Sequence, residues 1–126
     1  MTGQVRVTDL RLRTKSRVLE VVFDDGAQYS LSFEYLRVYS PSAEVRGHGP
    51  GQETLQLGKH DVGITGVEPV GHYAVRLKFD DGHDTGLYTW AYLRELGETH
   101  DAKWRQYLDR LSKLGIPYPT PGPTRR

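Results

Sequence analysis

The sequence has no cysteine and only one methionine among its 126 residues. A chain without cysteine forms no disulfide, ligates no zinc or iron–sulfur cluster through its own thiolates and has no cysteine nucleophile. Long hydrophobic runs are also lacking, since no apolar stretch approaches the roughly 18 residues that cross a bilayer. Residues 1–17 combine Arg and Lys with no continuous apolar stretch, unlike a signal peptide. We therefore expect a cytoplasmic protein that does not enter the membrane.

Neither sign of charge dominates, because 17 basic and 16 acidic side chains leave a formal net charge of +1. This balance predicts no global attraction to nucleic acid or anionic lipid. One local exception is a set of four cations that share one face of an extended segment, namely Arg11, Arg13, Lys15 and Arg17. Such a stripe can follow a phosphate backbone, but no aromatic residue lies between the cations to stack on bases. The pattern favours a solvated edge strand over a nucleic-acid interface.

Alternating apolar and polar residues predict antiparallel strands. Residues 5–14 alternate with one phase slip at Asp9, which predicts a bulge. Strands predicted over Val18–Phe23 and Ala27–Leu31 are joined by an Asp-Asp-Gly turn, and Ser32 then predicts a helix N-cap.

The same order of parts recurs in the second half of the chain. Phe23-Asp24-Asp25-Gly26 matches Phe79-Asp80-Asp81-Gly82, and Tyr35-Leu36-Arg37 matches Tyr92-Leu93-Arg94. Two copies are too few for a solenoid, so they predict a pseudo-symmetric pair of hairpin–helix units. Chance similarity is the alternative, because Asp-Gly turns after strands are common.

The remaining segments complete the predicted architecture. Residues 38–59 are rich in Ser, Gly and Pro and predict a long loop, followed by a hairpin of Ile64–Val70 and Tyr73–Phe79. Asp101–Leu114 carries one apolar stripe typical of an amphipathic helix. Residues 117–126 predict a disordered Pro-rich tail after a single domain spanning residues 1–116. The fold class is therefore α+β: a small antiparallel β-rich domain with two pseudo-repeated hairpin–helix units and a C-terminal amphipathic helix.

The common catalytic motifs are missing. The glycines of residues 47–51 lack the Lys-Ser/Thr pair and the following helix of a phosphate-binding loop. No Gly-x-Ser-x-Gly turn presents a nucleophilic serine. The five histidines occupy separate loops, and no two lie at the helical spacing of a zinc-binding His-Glu-x-x-His motif. We therefore expect a protein that is not an enzyme.

From Val18 to Leu96 the order of parts resembles the gamma-butyrobetaine hydroxylase-like N-terminal domain family. The resemblance rests on the two Phe-Asp-Asp-Gly turns with their Tyr-Leu-Arg partners, on Ser40-Pro41-Ser42, on Val62-Gly63-Ile64 and on Trp90-Ala91-Tyr92-Leu93. This domain occurs alone in bacteria, ahead of the catalytic domain of carnitine-pathway oxygenases and attached to some Mrp-type iron–sulfur carrier ATPases. The resemblance implies the fold, while the catalytic domain with its iron-binding triad has no counterpart in this chain.

In the oxygenase members, three cysteines and one histidine hold a structural zinc ion. The resemblance places the cysteines at Ser40, Ser42 and Val45 and the histidine at His83. Serine hydroxyls do not ionise at neutral pH and valine has no donor atom, so this set does not make a tetrahedral zinc site. We therefore expect no cofactor.

Two functions follow as hypotheses. The first is a non-catalytic accessory or protein-interaction module, linked by the resemblance to iron–sulfur assembly or oxygenase systems. Its predicted docking surface comprises Arg46, Gly47, His48, Gly49 and Trp90, because exposed aromatics and Arg anchor such contacts. The equally open alternative for this loop is a disordered connector.

The second hypothesis is a protein that binds zinc or iron. It would use His83 together with His48 and an acidic partner such as Asp81 or Asp84, if the fold brings these nitrogen and oxygen donors together.

Overall fold

The computed structural model describes residues 5–46 and 55–118. It confirms an α+β fold made of two three-stranded antiparallel sheets and four helices within those residues. In chain order the elements are β1 (Val7–Arg13), β2 (Val18–Phe23), β3 (Gln28–Ser32), α1 (Phe33–Val38), α2 (Ala43–Arg46), β4 (Ile64–Val70), β5 (Ala74–Phe79), β6 (Leu87–Thr89), α3 (Trp90–Glu98) and α4 (His100–Lys113).

The first sheet has the order β1-β2-β3. Its register shifts between Val7 and Asp9, where the phase slip in the sequence predicts a bulge. Gly26 closes the turn between β2 and β3 at φ 90°, a left-handed conformation that favours glycine. The Ser32 hydroxyl then accepts a hydrogen bond from the Tyr35 amide at 3.1 Å and caps α1.

The second sheet, β4-β5-β6, repeats each of these features. Its register shifts between Ile64 and Gly66, and Gly82 closes the turn at φ 90°. The Thr89 hydroxyl caps α3 by accepting a hydrogen bond from the Tyr92 amide at 3.0 Å. The two units therefore share a bulge, a turn and a helix cap. Chance similarity of two Asp-Gly turns would not explain the shared bulge and cap.

The two halves are joined by tyrosines that reach across from one unit to the other. The Tyr35 hydroxyl donates to the carbonyl of Leu96 at 2.7 Å, and the Tyr92 hydroxyl donates to the carbonyl of Tyr39 at 2.6 Å. One core cluster lies between the halves and includes, from both of them, Leu19, Val21, Leu36, Leu77 and Leu93. Burial of these side chains supplies the main stabilisation of the fold.

The structure corrects several predicted boundaries. The segment 38–59 is not loop throughout, because Val38 ends α1 and residues 43–46 form α2. The helix predicted from Asp101 begins at His100, and Thr99 precedes it without a capping bond from its side chain. The Thr99 hydroxyl instead donates to the carbonyl of Glu95, in the preceding helix, at 2.6 Å.

The predicted tail begins with an ordered contact. The Tyr118 hydroxyl donates to Oε1 of the buried Glu34 at 2.7 Å, and its ring packs edge-on against Trp104. Residues 119–126 lie outside the described residues.

The prediction that Arg11, Arg13, Lys15 and Arg17 share one face of an extended segment is wrong, because β1 ends at Arg13 and residues 14–17 form a turn. Arg11 pairs with Asp9, and the Arg17 guanidinium donates to the carbonyl of Asp61 at 2.6 Å. In the described parts of the chain, every helix is too short or too polar to cross a bilayer.

Candidate functional site

Ser40 and His83 meet in the interior between the two halves. Ser40 follows α1 and is 1% exposed, while His83 follows the turn after β5 and is 7% exposed. Ser40 Oγ lies 2.8 Å from His83 Nε2, within hydrogen-bond distance. The same hydroxyl accepts a hydrogen bond from the Ser42 amide at 3.2 Å, which folds residues 40–42 into a tight turn.

A second hydroxyl pair lies beside the first. Ser42 Oγ is 2.8 Å from Thr85 Oγ1, and Ser42 is 6% exposed. We call Ser40, Ser42, His83 and Thr85 the hydroxyl–imidazole cluster. The buried Val45 comes one turn later, with its amide donating to the Ser42 carbonyl at 3.0 Å.

The backbone around the cluster is packed closely. At Gly86 an added Cβ would lie 2.5 Å from Ser40 Oγ, so only glycine allows this approach. Tyr88, in β6, is fully buried and its hydroxyl donates to the carbonyl of Leu36. Burial raises the pKa of Tyr88 far above its ordinary value, which keeps the phenol neutral.

These residues do not fit the structural zinc that the resemblance implies. The positions corresponding to its four ligands carry two neutral hydroxyls, one imidazole and a hydrocarbon, at Ser40, Ser42, His83 and Val45. Zinc in structural sites prefers four nitrogen or thiolate donors. The hydroxyls already bind His83 and Thr85, so the cluster is held by hydrogen bonds where the resemblance implies a metal.

The predicted alternative metal ligands are not brought together. Asp81 Oδ2 lies 2.9 Å from Arg37 Nε and 2.6 Å from Lys59 Nζ. Burial alone would raise the pKa of Asp81, but hydrogen bonds from Lys59, the His83 amide and Arg37 lower it to about 2. Asp84 is exposed, and His48 lies outside the described residues. Among residues 5–46 and 55–118, no three His, Asp or Glu side chains converge as metal ligands.

Trp90 is the one member of the predicted docking surface whose side chain the structure describes. The side chain of Arg46 and the residues Gly47, His48 and Gly49 lie outside the described part. Trp90 begins α3, and its indole Nε1 donates to the carbonyl of His72 at 2.8 Å.

Trp90 lines a cavity of about 310 Å³ together with Val5, Tyr73, Thr89 and Ala91. Tyr73 is 53% exposed, which is high for a large apolar ring. We call this cavity the aromatic groove.

A second depression continues the aromatic groove along α3. It has a volume of about 420 Å³ and shares Thr89 and Ala91 with the groove. Pro41, which directly follows the buried Ser40, also lines this second depression. The surface therefore runs from Tyr73 across the start of α3 to the segment that carries Ser40.

Sequence reasoning missed three residues of these sites. Thr85 is a single hydroxyl in the segment between the turn at Gly82 and β6, and Lys59 is one lysine in a predicted loop, so neither has a local signal. Tyr73 is the first residue of the strand predicted over Tyr73–Phe79, but β5 begins at Ala74 and Tyr73 lies in the turn before it. An aromatic residue next to the predicted Gly71-His72 turn is a signal that could have marked it.

Comparison with known proteins gives a family and solved relatives. The model of the gamma-butyrobetaine hydroxylase-like, N-terminal family matches residues 10–94. None of the functionally curated proteins matches the chain.

Solved structures share both sequence and fold with the chain. A crystal structure from Acidithiobacillus ferrooxidans ATCC 23270, described as a protein with unknown function of the DUF971 family, is 43% identical. It covers 73% of this chain and 92% of its own, with a TM-score of 0.62. Two NMR solution structures are more similar, and each covers 89% of its own chain. One is 47% identical over 90% of this chain with a TM-score of 0.76, and the other is 51% identical over 93% with a TM-score of 0.77.

Proposed function

The chain belongs to the gamma-butyrobetaine hydroxylase-like N-terminal family, and on that basis we propose that it is a non-catalytic protein-interaction module that docks through the aromatic groove. The proposed partner is a protein of iron–sulfur assembly or oxygenase systems, because the domain that the chain resembles occurs beside such proteins. The observation that carries the proposal is the exposed ring of Tyr73 beside Trp90 in one apolar depression. Tyr and Trp are the side chains that most often anchor protein contacts.

The burial of the Ser40–His83 pair supports the non-catalytic part of the proposal. A serine nucleophile must reach its substrate, whereas Ser40 is 1% exposed and is enclosed by Gly86 and Tyr88. This pair therefore serves to hold the two halves of the chain together.

The experiment compares what co-purifies with the full-length protein from its own cells. Tyr73→Ser and Trp90→Ala remove the two aromatic rings, and Leu114→Ala is the matched control, since Leu114 is an exposed apolar residue of α4's C-cap. We expect one stoichiometric partner that the control retains and that both groove variants lose by at least about tenfold. A partner held equally by all variants, or no stoichiometric partner, would contradict the proposal.

The alternative function, metal binding through His83 with His48 and either Asp81 or Asp84, has less support in the described residues. Asp81 is already paired with two cations, and Nε2 of His83 is directed to Ser40.

A further inference from the structure

The two halves of the chain differ in charge at equivalent arginines. Arg94 donates to two carboxylates, with its Nη2 2.9 Å from Asp25 and its Nε 2.8 Å from Glu98. Arg37, its counterpart in the first half, shares the single carboxylate of Asp81 with Lys59. We call Arg94, Asp25 and Glu98 the second-half cluster; it has one more negative than positive charge. We call Arg37, Lys59 and Asp81 the first-half cluster; it has one more positive than negative charge.

The first-half cluster also contains a donor that is buried and unused. The Arg37 side chain is 9% exposed, its guanidinium lies 6.0 Å from the centre of the Phe79 ring, and its Nε is bound to Asp81. Its Nη1 is buried without a hydrogen-bond partner, and the same holds for Nδ1 of His60, the neighbour of Lys59. A buried charged donor left unpaired is costly, and most such groups in proteins have a partner.

We propose that Arg37 and Lys59, which meet at the carboxylate of Asp81, form a binding site for a small oxyanion, a carboxylate or a phosphate. The guanidinium edge supplies directed N–H donors and the ammonium supplies a point charge, which together recognise an oxyanion. Asp81 fixes both cations by binding each of them, so the site is largely preformed. The Lys59 side chain is 20% exposed and the Arg37 side chain 9%, so the ammonium is the more accessible of the two cations. This site shares no residue with the aromatic groove and does not rest on the proposed docking function.

The test titrates sodium phosphate and sodium acetate, separately and at constant ionic strength in chloride, into the full-length protein. Two-dimensional NMR then follows the Nε–H resonances of Arg37 and Arg94 and the amides of Lys59 and His60. We expect saturable shifts at the first-half cluster and no saturable shift at Arg94, whose two carboxylates repel an anion. The anion whose shifts saturate at the lower concentration shows whether the site prefers a phosphate or a carboxylate.

Variants test the role of the surplus charge. Lys59→Met should weaken binding by about tenfold, whereas Lys59→Arg should retain it. Lys103→Met is the matched control, since Lys103 is 24% exposed and lies in an ion pair with Glu95. If Lys59→Met does not fold, the proposal is still tested by comparing the anion-induced shifts of the Arg37 and Arg94 resonances in the unmodified protein. The proposal is overturned if neither anion gives saturable shifts, because an ordered water alone would then bind Nη1 of Arg37. It is also overturned if the Arg94 resonance shifts as strongly as that of Arg37.

Discussion

Arg37 and Asp81 form an ion pair between the two halves of the chain, with 2.9 Å between Nε and Oδ2. Arg37 belongs to the helix of the first half, and Asp81 belongs to the turn of the second. Arg94 and Asp25 repeat the pairing in the opposite direction. Each half therefore holds the turn of the other, and the halves cannot separate without breaking both pairs.

The first prediction concerns acid stability. The folded structure holds the pKa of Asp81 at about 2, below the ordinary value of 3.8. A lowered pKa stabilises the fold at all pH values above the ordinary one, and this stabilisation is lost as the pH falls from about 4 to 2. We expect the free energy of unfolding to fall by up to about 2 kcal/mol across this range from Asp81 alone.

Urea unfolding at a series of pH values measures this contribution. Asp81→Asn should be less stable at pH 6 and should lose less stability on acidification. Asp109→Asn, which alters an exposed pair with Lys113, is the control and should follow the unmodified protein. Equal acid sensitivity of Asp81→Asn and the unmodified protein would refute the assignment.

The second prediction separates the two cross-half arginines. Arg37→Ala should destabilise the protein by about 2–4 kcal/mol, because it leaves Asp81 with one cation and opens space beside Phe79. Arg94→Ala should cost distinctly less stability than Arg37→Ala, because the carboxylates of Asp25 and Glu98 are more exposed and their pairs with Arg94 are screened by water. Denaturant unfolding of both variants measures the two losses in the free energy of unfolding. A larger loss for Arg94→Ala than for Arg37→Ala would argue against the prediction.

The third prediction concerns the hydroxyl–imidazole cluster. Ser40→Ala removes the hydroxyl next to His83 Nε2 and leaves a buried imidazole nitrogen without that contact. We expect a loss of about 1–3 kcal/mol in the free energy of unfolding. Ser112→Ala, at an exposed position of α4, should change stability by no more than a few tenths of a kcal/mol. If the two alanine variants were equally stable, the Ser40–His83 contact would have no structural role.

The local parts of the fold could be predicted from the sequence because short-range chemistry specifies them. Ser32 and Thr89 cap helices through amides three residues later, and Gly26 and Gly82 accept the φ values that their turns require. The bulge at Asp9 follows from the phase of alternation within one strand. None of these features depends on the rest of the chain.

The long-range contacts could not be predicted in the same way. Asp25 and Asp81 look like ordinary turn aspartates, and only the packing of the halves makes them partners of Arg94 and Arg37. Ser40 sits in a Ser-Pro-Ser stretch typical of an exposed loop, yet His83, 43 positions later, buries it. The family resemblance was what singled out Ser40 and His83, since their spacing carries no signal of its own.

The fourth prediction restores thiolate donors. The triple substitution Ser40→Cys, Ser42→Cys and Val45→Cys places thiols at the three positions where the resemblance implies cysteine ligands, all of them buried. We expect this variant to bind one Zn²⁺ per chain with tetrahedral sulfur–nitrogen coordination, because thiolate and imidazole are preferred zinc ligands.

Cobalt substitution measures this directly, since tetrahedral thiolate coordination gives intense visible absorption. Adding His83→Ala to the triple variant should remove the fourth protein ligand and weaken the binding. A triple variant that takes up no metal, while remaining folded, would show that these positions do not converge as the resemblance implies.

The central claim is that hydrogen bonds among Ser40, Ser42, His83 and Thr85 replace a structural metal in this chain. Elemental analysis of untagged protein, combined with thermal unfolding before and after chelation, tests it most directly. We predict well below one transition-metal ion per chain and the same Tm with and without the chelator. One tightly bound ion per chain, whose removal unfolds the protein, would contradict the claim and favour the metal-binding alternative.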